Sequence, residues 1–157
     1  MVFPLIEYNL PCEDDTVQLA QRLAGCLVYP LICTFEGEIG AGKTTFIRAM
    51  LRALGVTTAI KSPTFALVES YQVDERVIHH FDLYRLHDEV ELDYLGFRDY
   101  FENNALICIE WPACARHYLD TVDLHIRLVT KDEGRLLLLQ AHTPRGLAIL
   151  ATLETGV

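Results

Sequence analysis

The segment Gly37-Glu38-Ile39-Gly40-Ala41-Gly42-Lys43-Thr44 matches the spacing G-x-x-x-x-G-K-[ST] at every fixed position, with a third glycine inside it. Residues of these types suit one kind of chemistry. Glycines let a loop wrap closely and turn successive backbone N–H groups toward phosphate oxygens. Lys43 supplies a point charge for terminal phosphates, and the Thr44 hydroxyl is of the kind that ligates magnesium. Thr45 opens the following helix, whose N-terminus adds partial positive charge, and is placed to reach an α-phosphate. At an average glycine content of about 7%, a chance match in so short a chain is expected at about one per cent or less. The pattern predicts a P-loop over 37–45.

Phosphoryl transfer from a magnesium nucleotide also needs an acid near the metal and a group that positions the nucleophile. Two acidic residues end apolar runs, where an open α/β sheet presents groups to its ligand. Glu110 follows Leu106-Ile107-Cys108-Ile109 and precedes Trp111-Pro112; Asp82 follows Val77-Ile78-His79-His80-Phe81. Either is placed to stand beside a metal, and the plain alternative for each is a strand-end carboxylate in solvent or a helix cap. Ser62-Pro63-Thr64-Phe65 is either a switch segment whose threonine senses a γ-phosphate or a simple turn. His79 and His80 face opposite ways on a strand, so packed or hydrogen-bonded roles fit them better than a shared ion. Trp111 reads as core or interface, and its place directly after Glu110 puts it near the mouth of the site. Arg85, Arg98 and Arg116 are candidate phosphate clamps between which spacing does not choose.

The surrounding elements must hold these groups. Leu31–Phe35 is a short, nearly all-apolar run, as in a strand buried on both faces, and it leads into the loop. Thr45–Leu54 has helical periodicity and stops at Gly55. Before them, Glu13-Asp14-Asp15-Thr16 offers capping residues ahead of a helical run that ends near Tyr29-Pro30. Ala66–Val73 and Val77–Leu83 predict an antiparallel pair, and Asp88–Phe101 a helix that Gly96 divides. Leu106–Ile109 is a second buried strand, Val122–Val129 and Arg135–Ala141 form a hairpin, and Pro144 opens a last short helix. Together they predict one three-layer α/β P-loop NTPase-like domain over 1–157, with a mixed sheet.

Composition bounds the role. With 22 acidic against 13 basic residues the net charge is −9, so no basic face for nucleic acid is expected, and any nucleic acid involved is expected to be held by a partner. Five irregularly spaced cysteines without a CxxC pair fit a reducing cytoplasm, not a zinc or disulfide framework. No apolar run approaches the roughly 20 residues of a membrane span.

In order, GEIGAGKTTF, KSPTFALVESY, HHFDLYRL, ELDYLGFRDYF and IEWP resemble the TsaE (YjeE) family, the small ATPase of bacterial tRNA threonylcarbamoyladenosine biosynthesis. The likeness runs from about Glu13 to Pro112 and contains no evident departure from the motifs. It implies that 37–45, including Gly37, Gly40, Ala41 and Gly42, bind ATP and that Thr44 and Glu110 hold Mg2+. It further implies that Thr64 is switch-like, that Asp82 acts in hydrolysis, and that Trp111 lies beside the nucleotide. Glu13 and the Glu133-Gly134-Arg135 turn fall where the family builds its adenine pocket. The implied partners are TsaB and TsaD, whose complex attaches threonylcarbamoyl to adenosine 37 of tRNAs. A small-molecule kinase would need a basic lid, which the sequence lacks. A GTPase would need N-K-x-D, also lacking, and a nucleotide switch that never hydrolyses is the remaining alternative.

Overall fold

Residues 3–156 are described by a computed structural model. Strands β1 (Leu5–Leu10), β2 (Leu31–Glu36), β3 (Val68–Val73), β4 (Arg76–Asp82), β5 (Ala105–Glu110), β6 (Leu124–Lys131) and β7 (Gly134–Ala141) make one sheet. Their order is β1-β7-β6-β2-β5-β4-β3. β4, β5, β2 and β6 are parallel, while β3, β7 and β1 join antiparallel, which gives the mixed sheet expected.

The central strands read as they do because both their faces are covered. Every residue of β5 is buried, so ALICIE shows no alternation. Helices α1 (Glu13–Ala24), α2 (Lys43–Leu54) and α4 (Pro144–Thr155) belong to one layer, and Phe46, Ile47, Met50 and Leu51 of α2 pack into a core with Cys33, Phe35 and Cys108. The opposite layer is thinner: α3 (Val90–Leu95) and two 3-10 turns at Phe97–Tyr100 and Pro112–Tyr118. Its cluster of Phe81, Leu92, Phe97, Ile107 and Ile109 covers β4 and β5. Beyond it the sheet opens to solvent, and Leu5 of β1 and Val129 of β6 stand 51% and 36% exposed.

Gly96 divides the 88–101 stretch as expected, holding φ at 73° between α3 and the following turn. Three features differ from the sequence reading, the first being that α1 stops at Ala24, capped by Gly25, and does not run on to Tyr29-Pro30. β1 went unread: Ile6, Tyr8 and Leu10 alternate with Glu7 and Asn9, but on an edge strand too short for the pattern to stand out. The N-cap of α1 is Cys12, not a residue of the acidic run; its N–H donates to Asp15 Oδ2 at 3.0 Å, and the acids occupy the first turn. Among the described residues no helix is long and apolar enough to cross a membrane.

Candidate nucleotide site

The carboxyl end of β2 runs straight into the glycine loop, and the loop into α2. Gly40 and Gly42 hold φ at 83° and 105°, the left-handed region that suits glycine. Beyond the adjoining residues of the chain, no atom lies within 4 Å of where a Cβ would stand on either, so the loop presents open space beside bare backbone. Lys43, 5% exposed, donates through Nζ to the carbonyls of Gly37 at 2.5 Å and Glu38 at 3.0 Å. The same ammonium lies 4.6 Å from the centre of the Trp111 ring. Burial lowers its pKa, an effect that Glu110 and Asp82 partly oppose.

Register brings the acids to this point. β4 and β5 are parallel neighbours with Asp82 opposite Glu110, so both strands end in a carboxylate at one level. Asp82 accepts from the Thr64 hydroxyl at 3.2 Å and from the Tyr84 N–H at 3.0 Å. Thr64 is in turn 2.7 Å from the Ser62 hydroxyl, so 62–65 is more than an isolated turn. Glu110 accepts from the Thr44 hydroxyl at 3.3 Å through one oxygen and meets His80 Nε2 at 2.7 Å through the other. A cavity of about 360 Å³ is lined by Lys43, Thr44, Thr45, Thr64, Asp82, Glu110 and Trp111, with Tyr84 and Arg85 at its side. Trp111 itself is held at φ 59°, a left-handed conformation that costs a bulky residue about 1–2 kcal/mol and belongs to the kind of strain found at ligand sites.

Thr44, Asp82 and Glu110 form an all-oxygen donor set. That fits magnesium, which is held by one or two carboxylates and keeps several waters and substrate oxygens. It does not fit a softer ion, and among the described residues no group of three or more His, Cys, Asp or Glu surrounds a common point.

A second cavity of about 370 Å³ opens on the other side of the same loop. Glu13, Ala41, Thr45, Glu133, Gly134 and Arg135 line it, and Gly40, Gly42 and Thr45 border both cavities. Arg135 donates from Nε to the Ala41 carbonyl at 2.9 Å and from Nη2 to the Gly40 carbonyl at 3.0 Å. Gly37 lines neither cavity and contributes its carbonyl to Lys43.

Of the three candidate arginines only Arg85 reaches the first cavity, stacked 4.5 Å over Phe65. Arg98 lies over the Tyr118 ring and Arg116 lines a cavity beside His125. Spacing missed the Arg135 clamp and the His80–Glu110 contact. The first had no signal in the sequence, and the second needed the β4–β5 register.

The fold and this site define a P-loop NTPase-like protein. A family profile described as threonylcarbamoyl adenosine biosynthesis protein TsaE matches residues 10–137, and the chain belongs to that family. A Haemophilus influenzae protein named tRNA threonylcarbamoyladenosine biosynthesis protein TsaE is 41% identical over 147 residues, covering 90% of this chain and 93% of that one. A Bacillus subtilis protein of the same name is 39% identical over 113 residues, covering 72% and 70%. The crystal structure of Bacillus subtilis YdiB superposes with a TM-score of 0.83 over 99% of this chain and 97% of its own, at 23% identity.

Proposed function

We propose that this chain is a magnesium-dependent ATPase, slow alone and stimulated by TsaB- and TsaD-type subunits, that serves threonylcarbamoyl modification of adenosine 37 in tRNA. Residues 1–157 act as one P-loop domain in the cytoplasm. The observation that carries this reading is the convergence of Lys43, Thr44, Thr64, Asp82 and Glu110 on one cavity at the carboxyl ends of adjacent parallel strands.

ATP is bound by the amides of 37–45, with Lys43 turning from its loop carbonyls to the terminal phosphates. Thr44 and Glu110 hold Mg2+, which when bound offsets phosphate charge as it develops in transfer. Asp82 orients the attacking water and takes its proton. Thr64, bonded to Asp82, couples that acid to the γ-phosphate. Trp111 packs beside the nucleotide with Tyr84, their ring centres 4.9 Å apart. Glu13 and Gly134 wall the adenine, on the other side of the loop.

Partner dependence has its own support. Ile39, 70% exposed, lines the cavity, and Phe65, 84% exposed, stacks with Arg85, which lines it too; exposed apolar groups beside a site are of the kind that meet other proteins. A net charge of −9 leaves the tRNA contact to those partners.

An ATPase assay with and without the TsaB–TsaD pair tests the reading: the rate is expected to rise with the pair, and equal rates count against partner dependence. Calorimetric titration with ATP and GTP is expected to favour ATP; tighter GTP binding overturns the choice of nucleotide.

A further inference from the structure

β4 carries two adjacent histidines that the proposed chemistry does not use, and they are not equivalent. His79 faces the thinner layer, with Nδ1 2.7 Å from the Ser70 hydroxyl and Nε2 3.2 Å from Glu102, so both nitrogens have partners. His80 points the other way, two residues before Asp82 and therefore on the same face of the strand. It is 1% exposed, and Glu110 is 2% exposed. Its Nε2 lies 2.7 Å from Glu110 Oε2. Its Nδ1 is buried without a hydrogen-bond partner among the described residues.

The partners of the two nitrogens fix the tautomer. A carboxylate oxygen can only accept, so the 2.7 Å contact requires a proton on Nε2, whereas an N–H on Nδ1 would meet no acceptor. Nε2 therefore donates to Glu110. A carboxylate bonded in this way has its two oxygens assigned: Oε2 belongs to His80, and Oε1 lies 3.3 Å from the Thr44 hydroxyl, the other oxygen expected at the metal.

We propose that His80 is a positioning residue for the magnesium site: it holds Glu110 by Oε2 so that Oε1 alone, beside Thr44, is presented to the ion. This rests on the reading of Glu110 as a magnesium ligand. Groups that hydrogen-bond to metal ligands fix their orientation, and losing one costs roughly 10–100-fold in metal affinity or activity. His80 makes no contact with the nucleotide in this scheme, so its removal changes what magnesium adds to binding and leaves binding without magnesium as it was.

The test uses the full chain and its single tryptophan, Trp111, next to Glu110, as the fluorescent reporter of ATP binding. ATP affinity is measured with excess Mg2+ and with chelator, for the wild type and for His80→Phe, His80→Gln and His80→Asn. His80→Phe is expected to reduce the magnesium-dependent gain in affinity by about tenfold with the chelator value unchanged. His80→Gln, whose amide reaches the Nε2 position, is expected to restore most of the gain, and His80→Asn, whose amide is one carbon short, is not. A wild-type gain in His80→Phe overturns the proposal, as does equal behaviour of the Gln and Asn variants. Glu110→Gln separates the two levels: if it too keeps the full gain, the metal role of Glu110 fails; if it loses the gain while His80→Phe does not, only His80 is misassigned. Where a variant does not fold, nitrogen NMR of the wild-type imidazole decides; a proton found on Nδ1 overturns the proposal.

Discussion

On one side of the glycine loop, the cavity containing Thr44, Thr64, Asp82 and Glu110 is floored by the ends of β5 and β4. On the other, the cavity containing Glu13 and Gly134 is walled by the β1–α1 junction and the β6–β7 turn. The first set of acids is buried and locked by strand register, Asp82 opposite Glu110, with contacts from Thr44, Thr64, His80 and the Tyr84 N–H. The second set, Glu13 and Glu133, is exposed, and its firmest contacts are between main chain and Arg135. Low dielectric and fixed geometry favour chemistry, where charge develops and must be met without reorganisation. An exposed, main-chain-walled hollow favours holding a ligand. On the proposed function, the same loop then separates a half suited to turnover from a half suited to affinity.

The largest expected effect tests the first half. Asp82→Asn keeps the shape and the Tyr84 contact but removes the proposed base, and is expected to lower the partner-stimulated hydrolysis rate about 100-fold with ATP affinity little changed. Single-turnover hydrolysis alongside calorimetry checks this; a loss of affinity with an unchanged rate breaks the division. Next comes Gly134→Ala on the second side. A Cβ there would lie 2.5 Å from the Leu10 carbonyl oxygen and 2.8 Å from Pro11 Cα, so the turn must shift away from β1. Denaturant unfolding is expected to show a loss of about 2 kcal/mol, with residual hydrolysis by the folded fraction. Arg135→Ala should do less to stability and more to binding. Losing a guanidinium that fixes the Gly40 and Ala41 carbonyls is expected to weaken ATP about tenfold, roughly one charged hydrogen bond, with the saturated rate preserved. A fall in that rate instead would show that the two halves are coupled through the loop.

The two halves also differed in how far they were legible. Gly37 to Thr45 is a contiguous pattern whose meaning needs no tertiary context, and Asp82 and Glu110 could be nominated because each ends an apolar run. Which acid touches which hydroxyl could not be read, since that depends on β4 and β5 pairing in one register: a shift of a single residue would have turned His80 and Asp82 to the far face. The second half was harder because its walls lie at opposite ends of the chain, Glu13 before the loop and Gly134 far after it. Only family resemblance pointed to them. The Arg135 clamp was invisible for the same reason, and so was β1, whose three inward residues carry too short an alternation to outweigh an opening of mixed polarity.

β1 supplies the smallest effect, and the one that reaches the second cavity indirectly. Tyr8 donates its hydroxyl to Glu154 Oε1 at 2.6 Å, tying the edge strand to α4, and Leu10 at the end of the same strand lines the second cavity. Burial first, then the bond to Glu154, pushes the phenol up to about 12. In the unfolded chain an ordinary tyrosine loses its proton near 10. The folded state therefore holds the proton longer. The contribution of Tyr8 is fully present below the unfolded value, declines as pH rises from there, and is gone above the folded one. The group is partly solvated, so the contribution is small: Tyr8→Phe is expected to cost about 0.5 kcal/mol at neutral pH and to flatten the alkaline limb of the stability curve. Chemical denaturation at a series of pH values from neutral to alkaline measures both. If ATP affinity in Tyr8→Phe matches the wild type, the tie of β1 to α4 acts on stability alone. If affinity weakens, the edge strand takes part in shaping the hollow, and the affinity half of the site extends to the β1–α4 edge of the molecule.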